Sequence, residues 1–142
     1  SEYTNNPILN ILLNDKARYA KLHNVDFEIK VGRIDFSFMK PVEVTTIFAN
    51  LLDNAIDAVM KSNTDNKYII VNLDCYNDFI VINITNSFSG HCIWKDGKPV
   101  SNKGKNHGLG LINVEKVVRK YSGNILMNEV DNEFICNIIM NP

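Results

Sequence analysis

Phe48-Ala49-Asn50-Leu51-Leu52-Asp53-Asn54-Ala55-Ile56-Asp57-Ala58 is the stretch whose reading decides the fold. Taken as a helix, it divides into two faces. Val44, Ile47, Phe48, Leu51, Leu52, Ala55, Ile56 and Val59 recur at three- and four-residue spacing and form one apolar stripe. Glu43, Asn50, Asn54, Asp57 and Lys61 form a second, because residues four apart lie above one another. Asn is a weak helix former that competes with the backbone for hydrogen bonds. Two of them one turn apart beside a core stripe point to ligand oxygens or a metal. On this helix alone a solvated face is the simpler reading, and other stretches must decide.

Working outward, Pro41 opens this helix and the polar run Ser62 to Asn66 closes it. Upstream, Asn6-Pro7 reads as a cap and first turn of a helix running to Leu22. Its buried side is expected at Ile8, Leu12, Tyr19 and Leu22 or their neighbours, and His23 stands at its C-terminus as a dipole partner. Val25 to Val31 alternates as a half-buried strand, and Ile34, Phe36 and Phe38 repeat the alternation after Gly32-Arg33, which predicts a second strand. Downstream, Ile69 to Cys75 and Ile80 to Ile84 flank an Asn77-Asp78 turn, a hairpin. Asn86 to Asn106 has no periodicity and reads as a long loop. His107 to Ser122 returns to helix with Gly123 as its stop, and Asn124 to Val130 pairs with Glu133 to Met140 about Asp131-Asn132. The expected class is α+β: a two-layer sandwich of one mixed, mostly antiparallel sheet with three main helices on one face.

Bulk properties narrow the function. The chain has 142 residues, is 45% apolar and reads as a single domain over residues 1–142 with an ordinary core. A formal charge of −1 argues against nucleic acid or an anionic membrane as main partner. Cys75, Cys92 and Cys136 are an odd set without C-x-x-C spacing and read as free thiols in a reducing compartment. No apolar run is long enough to cross a bilayer.

Two further stretches carry chemistry. Lys105-Asn106-His107-Gly108-Leu109-Gly110-Leu111 sits where the loop meets the last helix. Glycines there let the backbone approach a ligand closely, and a helix N-terminus with free N–H groups favours an anion. Lys95, Lys98, Lys103 and Lys105 face only one acid, Asp96, in the same segment. A basic loop ending in a glycine turn suits a polyphosphate, although a lone G-x-G is weak evidence. The other stretch is Ile84 to Gly90, where Asn86 offers an amide donor and a carbonyl acceptor at a strand end; by itself Asn86 reads as a turn residue.

In this order the three stretches resemble the Bergerat-fold (GHKL) ATP-binding domains of gyrase, MutL and the sensor histidine kinases, over nearly the whole chain. Asn50 to Ala55 looks like the N box, His107 to Leu111 like the G2 box, and Asn86 to Gly90 stands where the D-x-G-x-G box belongs. Asn6-Pro7-Ile8-Leu9 with Asn14-Asp15-Lys16, Ser101 to Gly104 and Lys120 to Gly123 look most like the quorum-type, peptide-sensing kinases. The resemblance implies Mg-ATP as ligand, with Asn54 and Asn50 toward Mg²⁺ and Asn50 and Lys103 as the catalytic pair. Asp57, Asn86, His107, Gly108, Leu109, Gly110 and Leu111 would complete the nucleotide site. Residues 1–24 would be the N-terminal helix and 87–106 an ATP lid. Hydrolytic relatives carry a Glu where Asn50 stands, so transfer to a side chain is expected rather than hydrolysis. Asn86 and Phe88 replace the Asp and first Gly of the adenine box, which implies weaker adenine binding. The resemblance further implies a cytoplasmic domain of a membrane-anchored bacterial sensor kinase. Its partners would be upstream dimerisation helices carrying the phosphoacceptor histidine, and a response regulator reached through the full-length kinase. A non-catalytic interaction module and an anti-sigma-type serine kinase are the alternatives.

Overall fold

The computed structural model describes residues 1–100 and 105–142, the side chains of 105–108 excepted. Three helices, α1 (Pro7–Leu22), α2 (Pro41–Lys61) and α3 (Lys105–Lys120), alternate with strands β1 (Asp26–Val31), β2 (Tyr68–Tyr76), β3 (Phe79–Ser87), β6 (Asn124–Val130) and β7 (Glu133–Met140). Two short strands, β4 (Trp94–Lys95) and β5 (Lys98–Pro99), stand apart as a separate hairpin. The main sheet runs β1-β2-β3-β7-β6, with β1 parallel to β2 and every other neighbour antiparallel. This is the mixed, mostly antiparallel sheet that the sequence predicts.

Alternation decides which face is covered. Ile69, Val71 and Leu73 of β2, Ile80, Ile82 and Ile84 of β3, and Cys136, Ile138 and Met140 of β7 are all buried toward the helices. α2 lies at the centre of the helical layer, packed on β2 and β3, with α1 and α3 on its flanks. Its buried set, Val44, Ile47, Phe48, Leu51, Leu52, Ala55, Ile56 and Val59, is the stripe read from the sequence. The Glu43 carboxylate accepts from the Lys40 backbone N–H at 2.8 Å and begins the helix. Lys67 Nζ donates to the Val59 and Ser62 carbonyls at 2.9 and 2.8 Å and closes it. Asn6 caps α1 as expected, accepting from Leu9 N–H at 2.9 Å, and His23 ends it with Nδ1 2.8 Å from the Tyr19 carbonyl. Among the described residues, no helix is long and apolar enough to cross a membrane.

Several expectations are corrected. α1 buries Leu9, Leu13 and Ala20 most deeply, whereas Leu22 is 75% exposed. Ile34 to Phe38 is not a strand. Its alternation comes from two aromatic anchors: Phe36 is buried edge-on against Phe48, and Phe38 meets Tyr121 at 5.0 Å between centroids. The long loop contains the β4–β5 hairpin, turned by Asp96 and Gly97 at positive φ. At the end of α3 the left-handed residue is Ser122 (φ +54). Gly123 serves close approach instead, since a Cβ there would lie 2.5 Å from the Ile139 carbonyl oxygen. Glu43 also leaves the polar stripe for a structural role: it is buried, bonded to Tyr121 Oη, and 2.7 Å from Lys120 Nζ. That cluster ties the start of α2 to the end of α3.

Candidate functional site

A cleft of about 420 Å³ opens between α2, the end of β3, the β4–β5 segment and the first turns of α3. Asn54 and Asp57 reach it from α2, Asn86 and Phe88 from the end of β3, and Leu111 from α3. These include residues from all three stretches singled out in the sequence. Asn86 is a strand residue rather than a turn residue and is only 2% exposed. Its Nδ2 donates to the Ser87 carbonyl at 3.0 Å, which leaves Oδ1 as the acceptor end of the amide. Cys136 and Cys92 also border the cleft. Burial pushes the Cys136 thiol up to about 12, and burial with the nearby Glu129 charge raises that of Cys92. Both shifts favour the thiol over the thiolate at neutral pH.

Asn50 is half-buried against α3. Its Nδ2 donates to the Thr46 carbonyl at 2.6 Å, so the amide is oriented with its oxygen toward Gly110. A Cβ at Gly110 would lie 2.5 Å from Asn50 Oδ1. A larger residue there would force Asn50 or α3 to shift, because an amide oxygen occupies the side-chain space. In this way the N-box helix and the glycine-bracketed start of α3 are held in direct contact. Lys103 lies outside the described residues, as does the side chain of His107. Leu109 is 54% exposed. Among the described residues, no three His, Cys, Asp or Glu side chains cluster as metal ligands. The Asn54 carboxamide, which lines the cleft, fits Mg²⁺, a hard cation that takes one or two protein oxygens and completes its shell with phosphates and water. Asn50, one turn earlier, is not among the side chains lining the cleft.

Residues 88–100 are tied to the sheet and to α3 by specific contacts that their composition does not announce. Trp94 stacks on Phe134 at 5.9 Å with an interplanar angle of 6°, and its Nε1 donates to Glu129 Oε1 at 2.9 Å. The Cys92 backbone N–H donates to the same oxygen at 3.0 Å. Lys98 Nζ sits 2.6 and 2.7 Å from the two oxygens of Glu115, a buried acid on α3 that Arg119 also approaches. Sequence reading passed over Glu129, Phe134 and Glu115. The available signal was the Asp96-Gly97 dipeptide, a hairpin turn marker.

The architecture is a two-layer α/β sandwich whose central helix α2 packs against α3 beside the cleft. Comparison with known proteins gives the family and the fold. Residues 39–141 match the GHKL domain, and the chain belongs to that family. Sensor protein CitS of Halalkalibacterium halodurans is 24% identical over 99% of this chain, which spans 28% of that protein's length. The nucleotide-free catalytic domain of histidine kinase ThkA is similar in fold, with TM-score 0.72, 17% identity, and coverage of 99% of this chain and 94% of that one. The Acinetobacter baumannii histidine kinase AdeS superposes with TM-score 0.71 at 15% identity, over 94% of this chain and 62% of that one. ThkA in complex with the response regulator TrrA gives TM-score 0.69 at 17% identity, over 99% and 41% of the two chains. The fold is that of histidine kinase catalytic domains.

Proposed function

We propose that the cleft binds Mg-ATP and that this domain donates the γ-phosphoryl group to a histidine on separate dimerisation helices of a two-component sensor kinase. The observation that carries the reading is the Asn50–Gly110 contact beside a cleft lined by Asn54. It brings an amide-bearing helix and a glycine-bracketed helix start to one place. Phosphoryl transfer needs positioning and charge neutralisation more than covalent help from the protein. Asn54, with Asn50 behind it, would hold Mg²⁺, which when bound would neutralise phosphate charge. The free backbone N–H groups of the first turn of α3, which begins at Lys105 and ends near Gly108, would receive phosphate oxygens, and Lys103 would close over them. Leu109 and Gly110, expected as donors, lie beyond that turn, where a helical N–H is already bonded four residues back. Asn86 would accept from the adenine amine through Oδ1, with Asp57 and Leu111 shaping the same cleft. His107 would stand at the phosphate end. Residues 1–142 then act as one catalytic domain with 87–106 as its lid. We read it as the cytoplasmic part of a membrane-anchored, quorum-type kinase that passes phosphate to a response regulator.

The test is a calorimetric titration of the chain with ATP and a non-hydrolysable analogue, with and without Mg²⁺. Weak, magnesium-dependent binding is expected, and Asn54→Ala, at an exposed position, should abolish the magnesium dependence while leaving the far-UV circular dichroism unchanged. Labelled phosphate should appear on dimerisation helices supplied in trans and not on this chain alone. A second reading, a non-catalytic module, draws on Asn86 and Phe88 in the adenine box; no binding at millimolar Mg-ATP would favour it. Label on a partner serine would point to the anti-sigma type.

A further inference from the structure

We propose that Glu129 is a positioning residue that fixes the β4–β5 hairpin as a wall of the cleft; the functional part of this inference rests on the nucleotide reading above. On the covered face of β6, Ile125 and Met127 are followed two residues later by Glu129, where a third apolar side chain would suit the core. The Glu129 side chain is only 19% exposed, and a carboxylate there must recover its lost hydration from donors. Among the described residues, its donors come from the hairpin segment. Cys92 N–H and Trp94 Nε1 share one oxygen, and His91 Nδ1 stands 3.4 Å from the other.

The rung itself is rigid. Glu129 is the direct cross-strand partner of Phe134, so the acceptor for the indole N–H and the ring under the indole face belong to one step of the β6–β7 ladder. Tryptophan is thus fixed by edge and face together. At the far side of the hairpin, Lys98 is held by Glu115. Between these attachments the segment turns Cys92, Ile93, Pro99 and Val100 toward the cleft, and Val100 N–H closes on the Ile93 carbonyl at 2.7 Å. Releasing Glu129 removes the attachment nearest the adenine box. The nucleotide then meets an unfixed wall that must be ordered on binding.

Trp94 is the chain's sole tryptophan, so its emission reports the latch without nucleotide. In the full chain, Glu129→Ala should red-shift Trp94 emission and raise its quenching by acrylamide. It should also weaken Mg-ATP binding about tenfold, the scale of one charge-assisted hydrogen bond. Glu129→Gln keeps an acceptor oxygen and should stay within about threefold of wild type. Trp94→Phe, which keeps the ring stack and loses the donor, should fall between them and guards against a Glu129 variant that fails to fold. Unchanged emission in Glu129→Ala overturns the latch. Changed emission with unaltered or tighter ATP binding overturns the wall and makes the hairpin a bystander or a plug. Absence of ATP binding in wild type overturns the nucleotide reading and the wall with it, while the emission still decides the latch.

Discussion

Gly110→Ala tests the contact on which the functional reading stands. Alanine in a helix interior gains about 1 kcal/mol over glycine, and Gly110 lies inside α3 outside the left-handed region. On propensity alone the variant should be more stable. The new Cβ, however, would sit 2.5 Å from Asn50 Oδ1 and 3.1 Å from its Cγ, against the 3.4 Å at which ordinary contact begins. Asn50 is tied to Thr46 at 2.6 Å, so it must give up that bond, worth about 1 kcal/mol, or α3 must move. Overpacking of this kind costs about 1–3 kcal/mol. Net stability should therefore fall between unchanged and about 2 kcal/mol lower in urea unfolding. Because a displacement near 1 Å in a positioning element is costly, Mg-ATP binding should weaken by roughly tenfold to a hundredfold. The Asn50→Ala/Gly110→Ala pair removes the clash, so the double-mutant cycle should show about 1–3 kcal/mol of coupling. A Gly110→Ala variant that gains the full propensity increment, binds ATP as wild type does and shows no coupling would refute the argument.

Two further variants probe the frame and the base end of the cleft. For Glu43, burial by itself would raise the carboxyl, but hydrogen bonds from Lys120, Tyr121 and the Lys40 N–H outweigh it and hold it at about 2, below its ordinary 4.5. A depressed carboxylate contributes stability that is fully present above about pH 4.5 and is lost as pH falls toward 2. Glu43→Gln should therefore cost about 1–3 kcal/mol at pH 7, and urea titrations should show the gap from wild type narrowing through that window. Asn86→Asp restores the family's carboxylate, yet it places an oxygen where Nδ2 now donates to the Ser87 carbonyl. It should lower the melting temperature without nucleotide and give a larger ATP-induced rise than wild type. A nucleotide-free melting point equal to wild type would show that this bond does not hold Asn86.

What could be read from the sequence was what is encoded locally. α2, the two hairpins about Asn77-Asp78 and Asp131-Asn132, and the Asn6 cap each announce themselves within a few residues, and each stands where it was expected. The misreadings share a cause. Phe36 and Phe38 alternate like strand residues, but their spacing is set by Phe48 on α2 and Tyr121 beyond α3. Glu43 shares a stripe with Asn50 and Asn54, yet Tyr121 and Lys120, far along the chain, decide its role. Trp94 sits in a loop without periodicity, and nothing near it in the sequence reveals Phe134 and Glu129. Helical and strand periods report an element's own geometry. They do not report which distant side chain completes a hydrogen bond.

The same distinction bears on why, on the proposed function, an amide rather than an acid at position 50 would favour transfer over hydrolysis. The Asn50 amide is oriented by its Nδ2 bond to the Thr46 carbonyl, which turns Oδ1 toward Gly110, and an amide offers no base for activating water. Glu43, Glu115 and Glu129 are each committed to holding elements together, through Lys120 and Tyr121, through Lys98, and through the hairpin respectively. His23 is stacked on Tyr19 and bonded to its carbonyl at the end of α1, and His91 faces Glu129 in the latch. Those histidines and acids serve the frame. On the function proposed above, an acceptor nucleophile supplied by another domain would suit a site of amides, backbone donors and a cation, because positioning is what those groups provide.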